Sequence, residues 1–277
     1  MVNKKLLNKL ESDSKKIRQI IIDTGHASGE SAHIGGALSM VEIVNFLYSE
    51  YLNHKPLNPE WEERDIFILS KGHTCLGFFS TLHYYGYFDK EKLETFQTNG
   101  TDLIAHPIKK ISLGIESSNG SLGQGLSFGM GMAIGFLKKK LHRKVVVVLG
   151  DGECNEGSIW ETAASAAELE VNNLLVIVDE NGHRNDGPNL TYQKNSSLIK
   201  IWKSFGWNVI EVKDGNSYLD IMDAFNNLSK YKGKLPTVLV CKTVKGKGIS
   251  FMEDNNDWHH NRITKSIYEE ATEELIK

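Results

Sequence analysis

The stretch Val145-Val146-Val147-Val148-Leu149-Gly150-Asp151-Gly152-Glu153-Cys154-Asn155-Glu156-Gly157 opens on five apolar residues and breaks at Gly150 into a polar, glycine-bounded turn. So short a run, rich in β-branched residues, reads as a buried strand, and Ile159 to Glu170 behind it reads as a helix. The pattern recurs. Leu174 to Val178 stops at Asp179-Glu180-Asn181-Gly182, and Val209 to Val212 and Val238 to Cys241 are further short apolar runs, with Ser217 to Leu228 helical between them. Upstream, Ile66-Phe67-Ile68-Leu69 stops at Ser70-Lys71-Gly72-His73. Strands alternating with helices predict an α/β fold with a mostly parallel central sheet and helices on both faces. Such sheets bind ligands beyond the carboxyl ends of their strands. The polar clusters Gly150-Asp151-Gly152, Asp179-Glu180-Asn181 and Thr243 to Gly248 all follow strands, which places the site there.

Further out, residues 4–24 read as an amphipathic helix and Thr24 to Gly36 as a Gly/Ser/His-rich loop. A second helix follows, with Met40, Val41, Val44, Leu47, Tyr48 and Tyr51 on one face at spacings of three and four. No repeat or low-complexity linker divides the chain, so residues 1–277 are expected to form a single domain, with 263–277 a charged helical tail presenting Glu269, Glu270, Glu273 and Glu274 on a polar face. The net charge of −3 is too near neutral for a nucleic-acid binder or a polybasic membrane surface. Three scattered cysteines without a CxxC argue for a reducing compartment and against a disulfide framework or zinc site. No apolar run reaches bilayer length and the Lys-rich start has no signal-peptide core, so a soluble, cytoplasmic protein is expected.

Thirty residues separate Asp151 from Asn181, about one β-α-β unit. Oxygen ligands at the ends of two neighbouring parallel strands can converge on a hard cation such as Mg²⁺, which takes few ligands from protein and the rest from phosphate and water. Glycines flanking Asp151 let the backbone approach a diphosphate, and the helix that follows adds its positive end. The Gly-Asp-Gly triplet alone reads more readily as a plain strand-to-helix turn capped by Asp151; the paired Asn181 shifts the balance.

This arrangement resembles the cofactor motif of thiamine diphosphate enzymes, and His26 to His259 looks like the N-terminal, pyrophosphate-binding part of transketolase. The supporting segments are Ser31-Ala32-His33-Ile34-Gly35-Gly36, Leu69-Ser70-Lys71-Gly72-His73, Ala105-His106-Pro107, Glu116 to Gly125, Thr243 to Met252 and Trp258-His259, in the family's order. The resemblance implies a thiamine diphosphate-binding fold in which Asp151, Asn181 and the backbone carbonyl of His183 hold Mg²⁺ (or Ca²⁺). Gly152, His73 and His259 would contact the diphosphate, Gly120 and Leu122 would line the aminopyrimidine region, and Glu156 would lie at a subunit interface between paired sites. His33, His106 and His259 match the histidines that face the donor sugar's hydroxyls, and imidazole suits proton movement there.

In the family a glutamate on a following pyrimidine-binding domain activates the cofactor, and only nineteen residues remain here after Trp258. The resemblance therefore implies a split enzyme. A separate C-terminal subunit would carry the pyrimidine-binding domain, the two chains would form a two-fold heterotetramer, and sugar phosphates would be substrates for transfer of a two-carbon ketol unit. Ala32 and Ile34 depart from the usual Gly and Pro, and His183-Arg184-Asn185 stand where apolar side chains usually meet the thiazolium. Either the donor pocket is reshaped or that loop turns outward. Lys242, Lys245 and Lys247 read equally as phosphate attractors or as a solvated basic face. Gly129, Gly131 and Gly135 read as close helix packing, and Cys154 as structural. Rival readings are a 2-oxo acid dehydrogenase E1 subunit, a deoxyxylulose-phosphate synthase, or a non-catalytic cofactor-binding module. A nucleotide-binding Rossmann protein is disfavoured by the lack of GxGxxG and GxxxxGK[ST].

Overall fold

Five parallel strands make the central sheet: β1 Ile66–Leu69, β2 Val145–Gly150, β3 Leu174–Glu180, β4 Asn208–Val212 and β5 Thr237–Lys242, in the spatial order β1-β2-β3-β5-β4. The computed structural model describes residues 3–189 and 197–276. Successive side chains of a strand point to opposite faces. Val146 and Val148 accordingly join one apolar cluster, while Val145, Val147 and Leu149 join the other. Burial on both faces explains why β2 is an unbroken apolar run rather than an alternating one.

The first cluster is covered by α1 (Lys4–Ser28), α2 (Ile34–Ser39), α3 (Val41–Phe46), α4 (Cys75–Tyr84) and, later in the chain, Tyr218–Lys230. The second is covered by α5 (Gln124–Lys138), α6 (Gly157–Glu168) and α7 (Leu198–Ser204). Tyr218–Lys230 is α8 and Lys265–Ile276 is α9. Register aligns the strand ends: Gly150 lies against Asp179, and Glu180 against Lys242. The segments that follow β2, β3 and β5 therefore emerge side by side, and the site is built there.

Two expectations for the N-terminal third need correction. The loop expected over Thr24 to Gly36 is mostly regular structure. α1 continues to Ser28 and ends at Gly29, whose φ of 67° terminates the helix with its N–H donated to the His26 carbonyl at 3.1 Å. The extra turn is held because His26 stacks on Tyr268 at 4.5 Å and donates from Nδ1 to the Ile263 carbonyl at 2.9 Å. A Cβ on Gly25 would come within 2.9 Å of Ile263, so Gly25 reports close packing rather than a loop. The second helix is not a single one-faced helix. It breaks at Met40 into α2 and α3 and loosens into a π-turn at Leu47–Tyr51, with every residue of α3 buried.

The tail forms α9, which packs Ala271, Ile267, Tyr268 and Leu275 into the first cluster. Glu269, Glu270 and Glu273 face solvent, but Glu274 accepts the backbone N–H and the hydroxyl of Ser250, both at 2.6 Å. The close-packing reading of the α5 glycines holds only for Gly129, where a Cβ would meet Val147 at 2.6 Å; Gly131 and Gly135 face open space. Cys75, Cys154 and Cys241 are buried and no disulfide joins them. Among the described residues no helix is long and apolar enough to cross a membrane.

Candidate active site

A cavity of about 490 Å³ opens at the carboxyl ends of β2, β3 and β5. Its wall contains Asp151, Gly152, Glu156, Asn181 and His183, together with His33, His73, His106, Gly120, Leu122 and His259. Every candidate site residue is thus brought to one place, from seven separate segments.

Each segment is delivered by a local device. Asp151 follows β2, donates its N–H to the Asp179 carbonyl at 3.2 Å, and has its carboxylate buried with an amide hydrogen bond from Asn189 at 3.1 Å. Burial, opposed by Asn189, pushes its carboxyl up to about 7. Asn181 donates from Nδ2 to Asp179 at 3.1 Å and accepts the His183 N–H on Oδ1 at 3.1 Å. Residues 183–184 pair antiparallel with 187–188 in a tight hairpin, and His183, Arg184, Asn185 and Asp186 all line the cavity. The hairpin therefore does not turn outward. It gives the wall a polar surface.

The histidines form a cluster of their own. His73 lies in a 3₁₀ turn directly after β1, and His33 precedes α2, on a segment tied by the 31–32 and 261–262 pairing to the one carrying His259. Ring centroids of His33 lie 4.9 Å from His73, 5.3 Å from His259 and 6.3 Å from His106. Burial first, and nearby cationic groups second, press these imidazoles toward the neutral form: His73 to about 2, His33 to about 3 and His259 to about 4. Burial lowers His106 as well. Neutral rings carry one donor and one acceptor each, which suits hydroxyl recognition and proton transfer.

Behind the cavity lies a polar layer that the sequence reading missed. Asp179, fully buried, takes hydrogen bonds from Lys71, Thr243, Asn181 and, at 2.6 Å, Ser39. Buried Glu153 accepts from Ser70, from the Gly123 N–H at 2.9 Å and from the Gly150 N–H at 3.1 Å, so one carboxylate holds the ends of β1 and β2 and the start of α5 together. Gly72 and Gly123 permit this closeness. A Cβ on Gly72 would lie 2.5 Å from the Asn119 carbonyl, and Gly123 sits at φ 82° with Ser158 2.4 Å from its missing Cβ. Nothing in the periodicity marks such residues, since a buried charge looks in sequence like a solvated one. Of the three lysines weighed together, Lys245 alone is buried in the cavity wall, while Lys242 is exposed.

Asp151, Asn181 and the His183 backbone offer hard oxygens only, one buried carboxylate, one amide oxygen and one carbonyl, which could hold Mg²⁺ with further positions left to phosphate and water. Gly152 leaves a cradle beside them: a Cβ there would stand 3.0 Å from Arg184 and 3.6 Å from the His183 carbonyl oxygen. A diphosphate bridged by a divalent cation fits this chemistry.

Fold and site together define a transketolase-type α/β cofactor-binding protein. The chain belongs to the family described as transketolase, thiamine diphosphate binding domain, which it matches over residues 11–273. It is 38% identical over 268 residues to one of the subunits of apulose-4-phosphate transketolase from Actinobacillus succinogenes, covering 97% of this chain and 96% of that protein. It is 34% identical to 6-deoxy-6-sulfo-D-fructose transketolase subunit SqwG of a Clostridium species, covering 97% and 96%. Among solved structures, transketolase from Leishmania mexicana superposes with a TM-score of 0.88 at 27% identity, covering 97% of this chain but 41% of that one.

Proposed function

We propose that this chain is the thiamine diphosphate- and Mg²⁺-binding subunit of a two-chain transketolase, a transferase that moves a two-carbon ketol unit from a ketose phosphate to an aldose acceptor. The observation that carries the reading is the convergence of Asp151, Asn181, His183 and the four histidines His33, His73, His106 and His259 on one cavity at the strand ends. Asp151, the Asn181 amide oxygen and the His183 carbonyl would hold the cation, and Gly152, His73 and His259 the diphosphate. Gly120 and Leu122 would line the aminopyrimidine region. Bound thiamine diphosphate supplies the electron sink for carbon–carbon cleavage. The chain's own part is to bind and orient, and to handle protons. His33, His106 and His259, held neutral by burial, hydrogen-bond the donor's hydroxyls, and imidazoles of this set with a free ring nitrogen take up or return a proton as a hydroxyl becomes a carbonyl.

The pyrimidine-binding domain is supplied by a second chain. Relatives that are themselves named as subunits, and that align over nearly their whole length, support this division. Exposed Glu156, at the cavity rim, would face the paired site in a two-fold heterotetramer. Three buried cysteines without a disulfide support a cytoplasmic, reducing location. Incubating the assembled enzyme with carbon-13-labelled ketose phosphates and unlabelled aldose acceptors, and reading products by mass spectrometry, tests the activity. Label appearing as a two-carbon extension of the acceptor is expected. Its absence with every donor tried, under saturating cofactor and Mg²⁺, would overturn the reading.

A further inference from the structure

Lys245 is 2% exposed, yet it has no carboxylate partner within ion-pair distance among the described residues. Its Nζ instead contacts the ring Nδ1 of His259 at 2.9 Å and the Asn256 Oδ1 at 2.8 Å. Its stem is threaded through a gap that only glycine leaves. A Cβ on Gly35 would lie 3.0 Å from Lys245 Cγ and 3.2 Å from its Cε, and the Gly246 N–H anchors the segment on the Gly35 carbonyl at 2.9 Å.

We propose that Lys245 is a positioning residue for His259, fixing its imidazole as the Nε2–H tautomer so that an N–H donor, and never a lone pair, is presented on the other side of the ring. An ammonium has three donors and no acceptor. The nitrogen it meets must be unprotonated, so the ring's single proton resides on Nε2. Burial and the neighbouring Lys71 lower Lys245 to about 8, which leaves it charged at neutral pH. The same cation lowers His259 to about 4 together with burial, so the ring stays neutral and its tautomer is a defined property. Asn256 extends the arrangement. Its Oδ1 accepts from Lys245 while its Nδ2 donates to the Asn185 carbonyl at 3.0 Å, tying the His183–Pro188 hairpin to the segment that carries His259. On the functional reading above, the consequence is a division of labour. His259 serves the substrate or diphosphate as a hydrogen-bond donor, and proton acceptance falls to His33 and His106.

The experiment is a two-bond ¹H–¹⁵N correlation spectrum of the full chain with ¹⁵N-labelled histidine, near neutral pH, with His259 assigned by the peaks lost in His259→Asn. The expected pattern is a bare Nδ1 and a protonated Nε2. In Lys245→Met the His259 signals should move to a mixture of tautomers, and in the assembled enzyme kcat/KM should fall roughly 10- to 100-fold, as when the hydrogen-bond partner of a working imidazole is removed. A protonated Nδ1 in the wild-type chain overturns the inference, and that arm needs no variant to fold. An unchanged His259 pattern in a folded Lys245→Met overturns it equally. The spectrum requires neither cofactor nor partner, so the failure of ketol transfer would leave it standing.

Discussion

Asn181 donates its amide N–H to the Oδ2 of Asp179 at 3.1 Å, and this one contact decides which end of the amide faces the proposed cation site. An ionised carboxylate only accepts. The amide oxygen is therefore turned away from Asp179, where it also receives the His183 backbone N–H at 3.1 Å. The candidate ligand oxygen is oriented by a residue that does not itself line the cavity. Asp179 can hold that orientation because Lys71, Ser39 and Thr243 fix it from other directions.

The Lys71–Asp179 pair is almost wholly buried, with side chains 2% and 0% exposed. Removing one partner leaves the other charge without compensation, which typically costs about 3–5 kcal/mol. Lys71→Met should lower the urea midpoint of the chain by a corresponding amount, with the slope unchanged. A loss below about 1 kcal/mol would mean that Asp179 finds another counter-charge.

Asp151 makes the stability of the cation-free chain depend on pH in an unusual direction. Its carboxyl is pushed up to about 7 by burial, against about 3.9 in an unfolded chain. Between those values the folded state binds more protons than the unfolded one, so stability falls as pH rises from about 4 to about 7. Asp151→Asn should flatten that slope in thermal unfolding. On the proposed ligand set Mg²⁺ would compete for the same site as the proton, so its affinity in the assembled enzyme should climb over the same window. Affinity independent of pH in calorimetric titration would remove Asp151 from the ligand set.

Two histidine variants should give crossed outcomes. His106→Ala should lower kcat/KM by on the order of 10²–10⁴-fold, with thiamine diphosphate affinity near normal. His73→Ala should weaken cofactor binding first, because His73 is assigned to the diphosphate. Substrate kinetics and cofactor titration on both assembled variants check the division, and a common loss of cofactor affinity alone would contradict it.

The sheet was legible in the sequence because strands buried on both faces are written as unbroken apolar runs, and Ile66–Leu69 was placed to the residue. The position of the cavity was legible because its polar lining follows those runs. The N-terminal third was harder to read. Gly25, Gly29 and the histidine between them look like a loop, and only contacts with Ile263 and Tyr268, more than 230 residues away, carry the helix through. The supporting shell was not legible either. Lys71, Glu153, Asp179 and Lys245 are buried by tertiary packing, and a charged residue in sequence carries no sign of whether water or another charge will surround it.

The most direct measurement of the central claim is ketol transfer by three samples: this chain alone, the pyrimidine-domain chain of the same organism alone, and the two mixed, each with thiamine diphosphate and Mg²⁺. Transfer should appear only in the mixture, vanish with chelator, and coincide with a two-fold assembly containing two copies of each chain. Full turnover by this chain alone, or none in a mixture that has assembled and bound cofactor, would contradict it.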